Sequence, residues 1–511
     1  MHMGKGGSVS VKEGIVMSED ALVNTSAVAW PDDFTASVMV RSMQAKLHRW
    51  AGEDPSRRFG DLFNLVYDPA FLVTAWERVS ANKGARTAGI DKATVAMVET
   101  SIGVGAFLSQ IRDSLKTGEF RPVEVRRVMI PKANGKLRRL GIPTIADRVV
   151  QASLKLVLEP IFEADFKPCS YGFRPNRRAQ DAITEIHYFV SNPRNYQWVL
   201  ECDIKACFDE ISHTALMDRL RARIKDKRIS ALVKAFLKSG VLTELGDREE
   251  TLTGTPQGGI LSPLLANIAL SALDEHFDRQ WHSEMSTGPQ RAKRRRNRQG
   301  NWRLVRYADD FVLMVFGDRH HAEALREEVS AVLEPLGLRL APEKTRVVHV
   351  DEGFTFLGFD IRRMRKRGTA KYYVYTKPSR KAIASIKDKA KAKTYRSTLH
   401  RDLDELILSL NRSLAGWANY FRHGSSKATF SAVDYFVWGR LMRWIRAKYA
   451  GKTGLSMKEL RRRFCDQGWR FAHNGVVLTG ASSVAVTRYR YRGSTIPTPW
   501  TPEPAAADPG C

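Results

Sequence analysis

The sequence predicts an α+β chain in which a body of mixed strands and helices is followed by a basic, helical module. Three observations predict it. Two runs of branched and aromatic residues, 198–204 (WVLECDI) and 304–316 (LVRYADDFVLMVF), have strand character and carry acids at an end or at the centre. Helical stretches with apolar residues at three- and four-residue steps lie on either side of them. After Lys377 the strand signals stop, and apolar residues recur at helical spacing as far as Ile445.

Length and composition narrow the classes open to such a chain. Its 511 residues suggest about three domains at roughly 100–200 residues each. An apolar share of 43% supports a large buried core. The longest apolar-looking stretch, 260–273, is broken by Ser262, Pro263 and Asn267 and falls short of the roughly 18 residues a membrane helix needs. Five cysteines without a CxxC pair exclude a disulfide framework and structural zinc, which fits a reducing compartment. No apolar leader stands at the N-terminus, so a cytoplasmic location is expected, in or near the nucleoid of a bacterial cell. The 82 Lys and Arg against 55 Asp and Glu leave a net charge of +27, a field that attracts polyanions.

The elements follow in order. Residues 1–35 are Gly-, Ser- and Val-rich at first and without period, and are expected to form a flexible arm. A helix is expected from Ala36 to Trp50, and a second over 60–81, interrupted at Pro69. At 121–142 the pattern turns extended: Val123, Val125, Val128 and Ile130 precede an Asn-Gly turn in 132–136 (KANGK), and 137–142 returns. That hairpin carries Arg126, Arg127, Lys132, Lys136, Arg138 and Arg139. Helices are expected at 149–162, 181–190, 214–224, 263–277 and 322–333, with strands at 338–340 and 345–350. Beyond Lys377, Ile383 opens a three-helix module. Leu403, Leu406, Ile407, Leu410, Leu414, Trp417 and Phe421 make one apolar face, and Val433, Val437, Leu441, Trp444 and Ile445 another. Its aromatics read as core, and Arg440 and Arg443, on other faces, as nucleic-acid contacts.

The chemistry concentrates in a few acids. Asp203 and Asp309 each close a strand of branched or aromatic residues, where an unpaired buried carboxylate is costly. Two such acids converging on one cation remove the cost. Magnesium suits the role, because it binds one or two carboxylates and keeps positions for water and phosphate. A pair of these ions roughly 3.5–4 Å apart can activate a hydroxyl and stabilise a leaving pyrophosphate. Neighbouring side chains on extended backbone point to opposite faces, so Asp203 and Asp309 are expected as the main ligands and Asp310 as a secondary one. Cys202 and Cys207, which flank Asp203 and its segment, read as packing residues.

These acids have companions in a fixed order. Tyr307-Ala308-Asp309-Asp310 (YADD), between Arg306 and Phe311-Val312, resembles the catalytic hairpin of reverse transcriptases. Asp203-Ile204-Lys205-Ala206-Cys207-Phe208-Asp209 resembles the first carboxylate motif of that family, and 255–263 (TPQGGILSP) its template- and nucleotide-positioning loop. Ile130-Pro131-Lys132, Leu140-Gly141-Ile142-Pro143 and Asp147-Arg148 are similar to its fingers segment. Gly172-Phe173-Arg174-Pro175 and Phe356-Leu357-Gly358-Phe359 are also in place. Further on, 410–421 (LNRSLAGWANYF) is similar to the signature of the maturase, or X, domain, which points to the group II intron-encoded reverse transcriptase/maturases.

The resemblance implies a right-hand polymerase. Its fingers and palm, built on antiparallel sheet, precede an α-helical thumb that doubles as the maturase domain. The expected boundaries are 36–198 for an N-terminal extension and fingers, 199–375 for the palm, 376–450 for the thumb and 451–511 for a basic DNA-binding region. Asp203, Asp309 and Asp310 become the catalytic metal triad, with the Ile204 carbonyl as an extra ligand to two Mg2+ ions that Mn2+ could replace. Lys132 and Arg138 would hold the incoming triphosphate. Phe208 would exclude a 2′-hydroxyl, and Gln257 would sit at the nucleotide. Arg174, Arg294, Arg295, Arg296, Arg412, Arg440 and Arg443 are the expected RNA or DNA contacts. The implied partners are the parent intron RNA, a DNA target and primer, and deoxynucleoside triphosphates; no membrane is involved, and the oligomeric state stays open. An H-N-H endonuclease, common at the end of such proteins, is not expected here, because only Cys465, Cys511 and His473 follow residue 450. Two rival readings stand beside this one: a splicing-only RNA-binding maturase, and a domesticated enzyme of host repair or defence.

Overall fold

Residues 29–501 are described by the computed structural model, apart from 132–134, 136, 244–246, 256–257, 451–455, 467–469 and 494–495. The expected arm ends earlier than residue 35, because Asp32 caps a helix over Asp33–Glu53 by accepting from the Thr35 N–H at 2.9 Å. Pro69 does not interrupt a helix. It opens one, Pro69–Ser80, at a position where its missing N–H costs nothing, and Asp68 caps it. Both helices pack on Ile145–Asp165, whose Val149, Val150, Leu154, Leu156, Val157, Leu158 and Ile161 are fully buried.

The strands are β1 (Val125–Pro131), β2 (Leu137–Ile142), β3 (Trp198–Asp203), β4 (Val241–Leu242), β5 (Arg248–Glu249), β6 (Asn301–Tyr307), β7 (Asp310–Phe316), β8 (Arg346–His349), β9 (Phe354–Phe356), β10 (Phe359–Arg365), β11 (Tyr372–Pro378), β12 (Ala472–His473) and β13 (Val476–Val477). The first sheet runs β2-β1-β4-β5, with the cationic hairpin antiparallel as expected. The second, β6-β7-β3-β8, is antiparallel throughout; it holds Asp203 and Asp310, with Asp309 in the turn between β6 and β7. Its strands read as continuous apolar runs because both faces are covered. Leu200, Cys202, Phe311, Leu313 and Val315 join one core with the helices Ser262–Gln280 and Arg319–Leu333. Val199, Val305, Val312, Met314 and Val348 join another, with the helix Ala179–Val190 and the C-terminal module.

That module contains the three expected helices, Arg380–Lys393, Leu403–Phe421 and Lys427–Ile445. Leu406, Leu410, Leu414, Val433, Val437 and Leu441 form its dry centre. The expected strand at 338–340 is reduced to one bridge between Leu340 and Ile204. Past the module the chain runs back over the protein. The Ala481 N–H donates to Asp434 at 2.6 Å, Tyr491 stacks on Tyr188 at 4.3 Å, and Trp500 Nε1 donates to Gln44 at 3.2 Å. Among the described residues no helix is long and apolar enough to cross a membrane.

Candidate active site

The site is built where β3 ends and the β6–β7 hairpin turns. Asp203 is the register partner of Asp310 across β3 and β7, and Tyr307 pairs with Asp310 across β6 and β7. The three acids expected to converge therefore meet at one end of one sheet. The alternation that made Asp310 secondary assumed extended backbone through Asp309. Ala308 instead has φ 58°, a left-handed turn, and Asp310 starts the strand directly opposite Asp203.

A buried cation pins this turn. Arg306, fully buried, donates from Nη1 to the Ala308 carbonyl at 2.9 Å and to Asn267 Oδ1 at 3.0 Å. Its Nε meets Asp274 at 2.7 Å, and its Nη2 meets Ser170 Oγ at 2.7 Å. Asn267 Nδ2 donates to the Gly172 carbonyl at 2.8 Å, so the Gly172-Phe173 segment lies against the back of the hairpin. A Cβ at Gly172 would stand 2.3 Å from the Ala308 nitrogen, which is why only glycine fits there. Asp274, Asn267 and Ser170 were not singled out in the sequence. Arg306 drew notice there only as a flank of the turn.

The electrostatics at the strand ends favour a cation. Burial raises the Asp309 carboxyl above its ordinary range, and the Asp203 charge adds to it; Arg138 and Lys344 oppose the shift. Asp310 is exposed at the start of β7, yet its protein surroundings, Asp309 and Asp203 push its pKa up to about 6. Lys344 Nζ lies 2.6 Å from Asp203 Oδ2 and answers part of this negative charge. Lys344 was missed in the sequence: it lies in a turn ahead of β8, and nothing local marks it as a neighbour of Asp203. Clustered carboxylates, two of them with pKa values pushed up and a third drawing an ammonium, are a donor set suited to a divalent metal ion. Ile204 is buried and bridged to Leu340 beside it. Burial drives the Cys202 and Cys207 thiols to high pKa values, in keeping with a packing role.

Arg138 stands exposed on β2, and its charge reaches Asp309. Lys132 and Gln257 lie outside the described residues. Phe208 is half-buried and lines a cleft of about 280 Å³ with Arg127, Arg139, Gly141, Asp209 and Thr255. Beyond the undescribed residues 256–257, the chain is held by the helix Ile145–Asp165 and lies against the first sheet. Gln151 Oε1 accepts from the Ile260 N–H at 2.9 Å, and a Cβ at Gly258, where φ is 113°, would stand 2.5 Å from the Gly141 carbonyl.

The expected nucleic-acid contacts divide. Arg174 is a correction: it is 6% exposed, pairs with Glu163 at 2.7 Å and donates to the Lys167 and Ser170 carbonyls. A buried guanidinium with every donor engaged stabilises the fold and presents nothing to RNA. Arg294 turns inward to the Gly300 carbonyl and Glu284, whereas Arg295 and Arg296 are exposed. Arg412 and Arg443 are exposed, and Arg440 donates to the Thr394 carbonyl at 2.8 Å. In the expected DNA-binding tail, Arg492 is paired with Asp181 at 2.7 Å.

One acid from a strand end and two from the hairpin beside it, under a cationic hairpin and ahead of a helical module, define a nucleotide polymerase of the palm type. The family profile described as "Reverse transcriptase (RNA-dependent DNA polymerase)" matches residues 130–361, and "Group II intron, maturase-specific domain" matches 383–464. The second match runs past the expected thumb boundary at 450 and takes in the helix Met457–Phe464. Protein YkfC of Escherichia coli (strain K12) is 38% identical over 366 residues, covering 68% of this chain and 94% of that protein. Group II intron-encoded protein LtrA of Lactococcus lactis subsp. cremoris is 33% identical over 449 residues, covering 74% of this chain and 73% of that protein. The chain belongs to the group II intron-encoded reverse transcriptase/maturase family. It is an RNA-directed DNA polymerase joined to a maturase domain, and such polymerases work with divalent metal ions.

Proposed function

We propose that this chain copies RNA into DNA at Asp203, Asp309 and Asp310, and that it binds its parent group II intron RNA to assist splicing and target-primed mobility. The convergence of the three carboxylates at one sheet end carries the reading. Two Mg2+ ions, with Mn2+ as a substitute, are the metal best suited to such donors, and when bound they lower the pKa of the primer hydroxyl and offset phosphate charge. In the reaction the primer 3′-oxygen bonds to the α-phosphorus of a deoxynucleoside triphosphate, the bond to the β-phosphate oxygen breaks, and pyrophosphate leaves. The hydroxyl proton passes to solvent.

The chain's own residues hold and select. Asp203 and Asp309 keep their charges aimed at one point, and the Ile204 carbonyl is the further oxygen beside them. Arg138, with Lys132, offsets triphosphate charge as the transition state forms. Phe208 closes the space a 2′-hydroxyl would need, and Gln257 with the glycines after it contacts nucleotide and template. Exposed Arg295, Arg296, Arg412 and Arg443 meet RNA phosphates. The cytoplasm is the compartment in which intron RNA and a DNA target are both within reach.

Asp309→Ala tests the reading. It is expected to abolish cDNA synthesis in primer extension and to leave intron RNA binding intact. Extension at the wild-type rate overturns the assignment of the site.

A further inference from the structure

The densest cationic run of the chain, 291–298, is a built element rather than a loose loop. It forms the helix Gly288–Arg296, opened by a capping box in which the Thr287 N–H donates to Gln290 Oε1 at 2.9 Å. Two of its arginines anchor it. Arg291 donates to the Ser286 carbonyl at 2.8 Å and lies over Trp281, while Arg294 donates to the Gly300 carbonyl at 2.9 Å and lies 4.8 Å from the Trp302 ring. Lys293, Arg295, Arg296 and Arg298 are exposed, and no ion pair joins them to a described carboxylate.

The helix sits far from the chemistry. It leads into Asn301, which pairs with Phe316, whereas the catalytic turn lies at the Tyr307–Asp310 end of the same two strands. Six residues of strand at about 3.3 Å each put the two ends about 20 Å apart. Next to the helix, Arg295 stacks over Phe316 at 4.2 Å, and the Tyr196 hydroxyl is buried without a hydrogen-bond partner among the described residues. The charges of Arg291, Arg295, Arg303 and Arg194 all act on that hydroxyl. The end of the palm opposite the active site therefore carries exposed cations that no ion pair to a described carboxylate answers.

We propose that the helix Gly288–Arg296 and the Arg298 turn form a second RNA site, separate from the polymerase cleft, which binds the phosphate backbone of a structured RNA. This rests on the reading of the chain as an intron-RNA-binding polymerase, and it assigns that RNA a surface on the back of the palm. Duplex RNA suits a site that offers anchored cations without a groove-entering element, because such RNA is met through backbone and shape.

The test uses the full chain with its cleft filled by a non-extendable primer–template, and a fluorescent 20-base-pair RNA hairpin as the probe. The wild-type protein is expected to bind the hairpin while the cleft is occupied. The variant K293Q/R298Q, which keeps both anchoring arginines, is expected to bind it about 5–30-fold more weakly, with a log–log salt slope smaller by about 1–2. Its primer extension should equal that of the wild type. Equal hairpin binding by the variant overturns the proposal, as does a parallel fall in primer extension, which would put the helix in the cleft. An equal, variant-sensitive affinity for a DNA duplex of the same length also overturns it as an RNA site. Failure of wild-type primer extension would instead count against the polymerase reading.

Discussion

Lys344 Nζ lies 2.6 Å from Asp203 Oδ2, so an ammonium rests on a carboxylate whose strand partner is Asp310. The ammonium and a divalent ion compete for the same oxygen. The lysine side chain is 60% exposed, and a pair this open is worth no more than about 1 kcal/mol. Lys344→Ala is therefore expected to lower the metal concentration for half-maximal extension by up to about 5-fold. A metal titration of the variant checks it. A higher metal requirement would show that Lys344 supports the bound ion instead of competing with it.

Asp310, with a pKa raised to about 6, and Asp309, raised in the same direction, give the site a pH dependence. Metal binds the ionised forms, so metal affinity should climb as pH rises through about 6 and level off above it. The sign for metal-free stability is the opposite. The folded state binds the Asp310 proton more tightly than the unfolded chain does, so stability falls between about pH 4 and 6 as that proton is lost. Asp310→Asn should then melt about 1–3 °C higher than the wild type at pH 7 in chelator, while losing polymerase activity. Thermal melts with and without metal measure both effects. A lower melting temperature for the metal-free variant would argue against the raised pKa.

The convergence of the three acids was legible because their cost was local: an acid closing a run of branched residues needs a cation, and the run is visible in one dimension. Lys344, Asp274 and Asn267 were not, since each acquires its role from a partner more than 30 residues away. Arg174 shows the same limit from the other side. Its motif marked it as functional, but Glu163, which decides whether its charge faces RNA or the core, lies 11 residues away on another element. Pro69 was misread because the sequence shows where a helix loses a donor but not where its first turn begins. The helix Gly288–Arg296 was read only as charge, although Thr287 and Gln290 spell its capping box.

Arg306 and Asp274 are both fully shielded from solvent and hydrogen-bonded to each other, so either alone is an uncompensated buried charge. Arg306→Leu is expected to cost about 3–5 kcal/mol of stability, read from denaturant unfolding. Arg306→Lys keeps the charge but loses the fork that reaches Asp274, Asn267 and the Ala308 carbonyl together. It should fold and yet lower kcat by at least about 10-fold through a loosened turn, with the KM for the nucleotide little changed. Wild-type kcat in a folded Arg306→Lys protein would show that the turn holds its shape without this network.

Arg492 reaches Asp181 with two donors, at 2.9 and 2.7 Å, and also donates to the Asn176 carbonyl at 2.9 Å. The Asp181 side chain is 3% exposed, so Arg492→Ala leaves a buried carboxylate with one fewer cation. The loss should be about 2 kcal/mol, a charge-assisted contact discounted for the part of Arg492 that solvent reaches. It should be felt locally, because the tail also hangs on Tyr491 against Tyr188 and on Trp500 against Gln44. Limited proteolysis is expected to cut the variant's tail beyond Thr487 faster than the wild type's, with affinity for duplex DNA unchanged. A DNA contact at Arg492 would give the reverse: an intact tail and a drop in DNA affinity.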